Sequence, residues 1–279
     1  MSAVVTTPVP TASPATVPPT ARRDRAARTI TPIPMTRLAK VELRKMFDTR
    51  AGFWLMASVG IVAVLATAAV ILWAPDEAIT QETFASAIGM PLSVVLPMIA
   101  ILSITSEYSQ RTGLTTYTLV PWRGRVITAK VLVTFAIGIV SMFFALAVGA
   151  LGNLLGSALT GLDPVWDISV QTFSYILLAN ILGMLMGFML GVLFRSSAAA
   201  IVGYFVYSLV LPVAFGTLAA FQAWFRDLQP WVDVNFAITR LFEGSLTTEH
   251  WQQLGVTTIV WLWIPLALGL RAVLRAEVK

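Results

Sequence analysis

Six apolar runs, each long enough to cross a bilayer as a helix, constrain this sequence more than any other feature. A helix needs about 20 residues to span a ~30 Å hydrocarbon core. Charged residues make up only 12% of the chain, whereas soluble domains carry about 25%. We therefore predict an all-α integral membrane protein. The six runs, none with a charged residue or His between its ends, are residues 52–74, 84–105, 131–155, 173–194, 198–221 and 255–270, the last beginning near Trp251.

The basic residues predict the orientation of these six helices. If the N-terminal segment is cytosolic, 17 of the 19 Lys and Arg residues lie on the cytosolic side, and only Arg226 and Arg240 lie outside. Lys and Arg concentrate in cytosolic loops of membrane proteins. We expect a multi-pass protein of the cell membrane with both termini cytosolic. This asymmetry explains the net charge of +5, so we expect no nucleic-acid partner.

Two segments precede the first run. Residues 1–34 contain seven of the 15 prolines and are predicted to be a disordered cytosolic tail. Their arginines are suited to contact anionic lipid headgroups, and a specific protein partner is an alternative. Residues 35–51 are predicted to form an amphipathic connecting helix on the membrane surface, before a six-helix permease domain at 52–279.

The connecting helix has a basic side and one unusual acidic residue. On a helical wheel, Arg37, Lys40 and Arg44 cluster on one side, which suits headgroups and water. Glu42 falls toward the apolar side. We consider two partners for its carboxylate: Lys45 one turn later, or a distant residue such as Arg111.

Residues 106–130 are the long polar interruption between the second and third runs. Their first part is predicted to form a short helix that ends before Pro121, after which the chain turns back to the membrane. A loop that only fixes topology is one interpretation. It leaves Glu107 unexplained, because a carboxylate at the end of a membrane helix costs free energy unless it is paired or hydrated.

The layout of this sequence resembles the membrane subunit of an ABC-2 type transporter, a type V ABC exporter permease. The resemblance covers residues 35–279 and includes the basic helix, six crossings and a polar segment after the second crossing. One departure is that Gly113 follows Thr112, where the common pattern has Gly then Thr. The positions that match the family pattern are Glu107, Arg111, Thr112, Gly113, Thr115, Pro121, Arg123, Arg125 and Lys130.

The resemblance implies that transport and ATP hydrolysis are carried out by separate subunits. Residues 106–120 would include a coupling helix seated in a groove of a separate ATPase subunit, and Arg195 to Ser197 would form a second, shorter contact. Two permease chains would assemble with two ATPase subunits, and ATP and Mg would bind the ATPase. We expect this chain to bind no cofactor and to be a transport subunit, not an enzyme.

The sequence contains no G-x-x-x-x-G-K-[ST] motif, so this chain lacks the loop of P-loop ATPases. An ion-coupled secondary transporter is the main alternative, although such proteins usually place an ionisable group near the bilayer midplane. A membrane-embedded enzyme or scaffold is a further alternative. With no Cys and only His250, we expect no metal site.

Prolines predict where a substrate passes. Pro91 and Pro97 interrupt the second run and Pro212 the fifth, and interruptions at matching places indicate a pathway; simple packing kinks are the alternative. The apolar spans favour export of a hydrophobic or amphipathic cargo such as a drug, lipid or peptide. The candidate pathway residues are Met90, Ser93, Val94, Met98, Tyr204, Phe205 and Ser208.

Two further patterns concern packing. Gly183, Gly187 and Gly191 recur at four-residue spacing, which indicates close contact between helices of one chain. Residues 222–254 form the largest external loop, where aromatic residues interleave with charges. This loop is predicted to contain amphipathic or re-entrant helices.

Overall fold

The computed structural model describes residues 33–109 and 123–275, with side chains described for 33–106 and 124–275. The predicted tail falls outside these ranges except for its last two residues, and its disorder stays a prediction. The chain separates into two units, Met1–Ile33 and Pro34–Lys279. All of the helices below belong to the second unit.

Within the described ranges the chain forms nine helices, and an isolated bridge between Thr80 and Val165 is the only β pairing there. Short 3-10 turns occupy Asp76–Ala78 and Arg240–Glu243. The helices are α1 Met35–Asp48, α2 Arg50–Trp73, α3 Gln81–Ser109, α4 Arg123–Thr160, α5 Val170–Phe194, α6 Ser197–Phe221, α7 Ala223–Val232, α8 Val234–Thr239 and α9 Thr248–Arg275.

Six of these helices, α2 to α6 and α9, are long and apolar enough to cross a membrane, which confirms the predicted all-α membrane fold. The largest difference from the predicted spans is in α4, which was expected at 131–155. Its 38 residues extend roughly 57 Å at 1.5 Å per residue. A hydropathy run marks only the part of a helix that suits lipid, so it misses the polar turns that continue beyond the hydrocarbon.

Helix α5 lies at the centre of the bundle, and its glycines allow a close approach to α3. A Cβ added at Gly187 would lie 2.6 Å from the Pro97 carbonyl oxygen, and one at Gly183 would lie 3.6 Å from the Pro97 ring. Small residues permit such contact between membrane helices. The glycine stripe therefore packs within one chain, as predicted.

Two of the spans contain a short π-helical segment just before a proline. In α6 the Leu211 N–H donates to the Val206 carbonyl, and Pro212 follows. Helix α9 repeats the arrangement at Ile259–Trp263 before Pro265. Proline has no N–H and crowds the preceding turn, and widening that turn into a π segment is one way for a helix to accommodate it.

The segment between α6 and α9 is helical. Helices α7 and α8 lie one after the other, and the Asp233 carboxylate between them caps α8 by accepting from the Asn235 and Phe236 N–H groups. The Trp261 indole N–H donates to the Val232 carbonyl at 2.7 Å, which ties the end of α7 to α9. These helices consequently form a packed part of the bundle.

Candidate functional site: an ion-pair cluster and an intramembrane cavity

A buried carboxylate joins α1 to α4. The Glu42 carboxylate accepts from Lys45 Nζ at 2.8 Å and from Lys130 Nζ at 2.6 Å. Glu42 and Lys130 are 6% and 2% exposed, whereas the Lys45 side chain is 41% exposed. A buried charge is stable only when it is paired and hydrogen-bonded. Here one carboxylate holds two ammonium groups, one from its own helix and one from the helix that begins at residue 123.

The amphipathic pattern of α1 accounts for this geometry. Arg37, Lys40 and Arg44 are exposed on its surface, and Arg44 pairs with Asp48 at 3.0 Å. Glu42 is the one buried residue of α1. Both kinds of partner considered for it are present, since it pairs with Lys45 and also reaches a distant residue. That distant residue is Lys130; Arg111 lies outside the described residues.

A second contact joins α6 to the end of α3. Ser197 Oγ donates to Thr105 Oγ1 at 2.8 Å, and Thr105 Oγ1 donates to the Ile101 carbonyl at 2.9 Å. Arg195, with φ of +52°, ends α5 in a left-handed conformation and lets the chain reverse into α6. The predicted second contact segment therefore touches α3 two residues before Glu107.

Much of the predicted coupling segment, residues 106–130, lies outside the described residues. Backbone positions are given for Glu107 and Arg123, but their side chains are not. Roles for these two residues and for Arg111, Thr112, Gly113, Thr115 and Pro121 stay predictions. In the chain, Thr105, which contacts Ser197, comes just before this segment. Lys130, which pairs with Glu42, lies at its end.

A cavity of about 160 Å³ lies among α3, α5, α6 and α8. Of the seven candidate pathway residues, only Ser93 and Tyr204 line it. Met90, one turn before Ser93, is 78% exposed on the outside of α3. The five that do not line the cavity are Met90, Val94, Met98, Phe205 and Ser208. Its wall also includes Asn180, Tyr207, Asn235 and Phe242.

Two hydrogen bonds beside the cavity replace bonds that prolines remove. Pro97 has no N–H for the Ser93 carbonyl, and the Tyr204 hydroxyl donates to that carbonyl at 2.9 Å. In a regular α-helix the Leu211 N–H would donate to the Tyr207 carbonyl, but in α6 it donates to the Val206 carbonyl. The next residue, Pro212, has no N–H to donate. Asn235 Nδ2 donates to it at 2.9 Å.

Sequence reasoning missed Tyr207, Asn180 and Asn235 as residues of this site. The prolines were the available signal, because each freed carbonyl in a membrane needs a polar donor from elsewhere. Which donor supplies it depends on the packing of distant helices and cannot be read locally. The described side chains hold no cluster of three His, Cys, Asp or Glu residues able to bind a metal ion.

These features define a polytopic helical membrane protein with buried charges at one end of the bundle and a polar cavity inside it. The family model described as "ABC-2 family transporter protein" matches residues 38–211, which is more than half of the chain. The chain therefore belongs to the ABC-2 transporter family. It is a membrane permease of an ABC transporter, a transport subunit that is not itself catalytic.

The matched region begins in α1 and ends in α6, so it includes Glu42, Lys130 and most of the cavity wall. Helices α7 to α9 lie beyond it. No curated protein matches the sequence. The family assignment confirms the resemblance that the sequence suggested.

Proposed function

We propose that this chain is the permease subunit of an ATP-driven exporter, moving a hydrophobic or amphipathic cargo outward by alternating access. Two copies of a separate ABC ATPase bind ATP and Mg and drive two permease chains. The protein lies in the cell membrane with both termini cytosolic. Family membership supports the permease role, and the charge asymmetry of the sequence supports the orientation.

The observation that carries this proposal is the Glu42 to Lys130 ion pair. Lys130 is the last residue of the predicted coupling segment and lies two turns after the start of α4. Breaking a buried ion pair leaves an uncompensated charge and costs about 3–5 kcal/mol. A force applied to the coupling segment would therefore move α1 and the first turns of α4 together.

A hydrogen bond links the end of α3 to the start of α6. The predicted coupling segment begins just after Thr105, and its residues 106–109 continue α3. Thr105 accepts a hydrogen bond from Ser197 at the start of α6. Movement of this segment would thus reach α6 as well as α3. Alternating access needs such links, because several spans must change their arrangement together.

The proposed class of cargo follows from the surfaces of the spans. Large apolar side chains such as Trp73, Leu65 and Val213 are exposed on α2 and α6. Among the described residues that line the cavity, none is charged. Free ions and highly charged solutes would find no compensating charge there, whereas hydrophobic or amphipathic molecules meet no such cost.

Co-purification tests the proposed assembly. A tagged chain is extracted from its native host in mild detergent, and the bound proteins are identified by mass spectrometry. We expect a partner with a Walker A motif at a stoichiometric ratio. A chain that emerges alone in several detergents, from cells whose transport follows the proton gradient, would favour the ion-coupled secondary transporter instead.

A further inference from the structure

The π segments of α6 and α9 are both hydrogen-bonded to the junction between α7 and α8, which comprises residues 232–235. Asn235 Nδ2 donates to the carbonyl of Tyr207, in the π segment of α6, at 2.9 Å. Trp261, in the π segment of α9, donates its indole N–H to the Val232 carbonyl at 2.7 Å. The two bonds meet the chain three residues apart, so one short segment contacts the irregular turn of both spans.

Each of these bonds satisfies a carbonyl that helix geometry leaves without a donor. The Tyr207 carbonyl loses the Leu211 N–H to Val206, and Pro212 has none to give. The Val232 carbonyl lies in the last turn of α7, where carbonyls have no partner within the helix. A backbone carbonyl without a donor is costly within a membrane. Loss of either donor therefore disfavours the observed arrangement of the spans.

The junction holds α7 and α8 in one fixed arrangement. Asp233 is 2% exposed, and its Oδ1 accepts from the Asn235 and Phe236 N–H groups at 3.0 and 3.1 Å. Its Oδ2 accepts from Gln229 Nε2 of α7 at 3.1 Å. One buried carboxylate thus bonds to both helices, so a displacement of Val232 is transmitted to Asn235.

Aromatic rings pack beside the same hydrogen bonds. Phe225 of α7 is 6% exposed, and its ring centroid lies 5.7 Å from that of Phe215 in α6. The Phe215 centroid lies 6.4 Å from that of Trp261 in α9. Apolar packing of this kind is not directional, whereas a hydrogen bond requires a particular donor and acceptor. The rings hold the three helices together, and the two hydrogen bonds select which turns meet the junction.

We propose that the α7–α8 junction couples the bends of α6 and α9, so that the two spans change shape together. Asn235 and Trp261 are the positioning residues of this coupling. A π segment followed by proline is a place where a helix bends. The coupling stands independently of the transport function. The further step, that this joint movement is part of alternating access, rests on the proposed function.

Spin-label distances test the coupling. The chain has no Cys, so introduced cysteine pairs can be labelled without removing native residues. One pair joins position 218 on α6 to position 170 at the start of α5, and the other joins position 252 on α9 to position 170; all three positions are exposed. Double electron–electron resonance measures both distances in the full-length chain in lipid nanodiscs.

The informative result is a change in the span that keeps its own bond. Asn235→Leu removes the donor to α6 and should shift the distance from position 252 on α9 as well as that from 218. A change in bend of about 20° moves the end of an arm roughly 12 Å long by about 4 Å. We expect shifts of that size, or a distribution broadened by as much.

Two replacements of tryptophan separate the hydrogen bond from the ring. Trp261→Phe keeps a ring beside Phe215 but loses the indole N–H, and should shift the distance from position 218 on α6. Trp263→Phe, in the same π segment with a 48% exposed side chain, is the matched control and should shift neither distance. If Asn235→Leu does not fold, Trp261→Phe still decides the question.

Three results would overturn the coupling. The first is a shift confined, in each variant, to the span whose own bond was removed. The second is that neither distance changes in either variant. The third is an equal shift in Trp263→Phe, which would mean that any change in this region loosens both spans.

These distances are measured on the chain without its ATPase, so their outcome is separate from that of the co-purification. The transport step is tested in the complex with the ATPase, where ATP should shift both distances together. Unchanged distances in a complex that hydrolyses ATP and transports would overturn the transport step and leave the coupling in place.

Discussion

Lys130 Nζ lies 2.6 Å from the Glu42 carboxylate, and both side chains are almost completely buried where α1 meets α4. The two residues are 88 positions apart in the sequence. Between them in the chain lie two membrane spans and all of the predicted coupling segment except Lys130, its last residue. The pair therefore fixes the connecting helix to the span that the coupling segment leads into.

Replacing Lys130 tests how much this contact contributes to stability. Lys130→Met should lower the stability of the purified chain by about 3 kcal/mol, near the lower end for a broken buried pair because Lys45 still holds Glu42. The midpoint of thermal unfolding in detergent measures this. Arg44→Met, which removes the exposed pair with Asp48, is the control and should change stability by less than about 1 kcal/mol.

The double variant Glu42→Met with Lys130→Met sharpens that test. An apolar pair of similar volume removes the buried carboxylate that Lys130→Met leaves with Lys45 as a partner, so it should recover much of the stability lost in Lys130→Met. If the double variant were no more stable than Lys130→Met, the loss would have to come from packing and not from the carboxylate that lost Lys130.

The close contact of α5 with α3 predicts the effect of a single methyl group. Gly187→Ala would place Cβ 2.6 Å from the Pro97 carbonyl oxygen, so the helices must separate, at a cost of about 1–3 kcal/mol. Thermal unfolding should show a lower midpoint. Gly60→Ala on α2, where a Cβ meets nothing within 4 Å, is the control. Equal midpoints for the two variants would contradict the packing described.

The Tyr204 hydroxyl is predicted to stabilise the kinked α3. Tyr204→Phe leaves the Ser93 carbonyl without its donor and should cost about 1–3 kcal/mol, seen as a lower unfolding midpoint. Tyr175→Phe is the control, because the Tyr175 hydroxyl only accepts from Gln171 in an exposed bond. A Tyr204→Phe chain as stable as the wild type would show that water or another donor serves this carbonyl.

Glu107 provides a functional prediction. Glu107→Lys should prevent assembly with the ATPase or separate ATP hydrolysis from transport, because the resembled family places this carboxylate at the start of the coupling segment. Co-purification and transport are measured together. Glu77→Lys reverses an exposed charge at the predicted outer end and should change neither. Normal transport by a stably assembled Glu107→Lys complex would contradict the role given to Glu107.

The membrane fold could be predicted from the sequence because composition alone determines it. Runs of about 20 uncharged residues have few alternatives to a transmembrane helix. The end of a helix is harder to predict, because it depends on caps and on polar turns beyond the lipid. Residues 121–130 were expected to lead back into the membrane, but it was not predicted that 123–130 do so as the first two turns of α4.

The partners of polar residues were less predictable than the helices. The pair of Glu42 with Lys45 follows from helical spacing, but the contact with Lys130 depends on how α1 packs on α4. The π segments were not predicted either, although α9 has one before Pro265 and α6 has one before Pro212. Likewise, Asn235 reaches the Tyr207 carbonyl only because α8 folds back onto α6.

Photo-crosslinking from the predicted coupling segment tests the central claim most directly. Benzoylphenylalanine is placed at position 113 in one chain and at position 77 in a control, and each is expressed in the native host and irradiated. We predict a crosslink from position 113 to a protein with a Walker A motif and none from position 77. A crosslink to such a protein from position 77 alone, or none from position 113 in cells that still transport, would contradict the account.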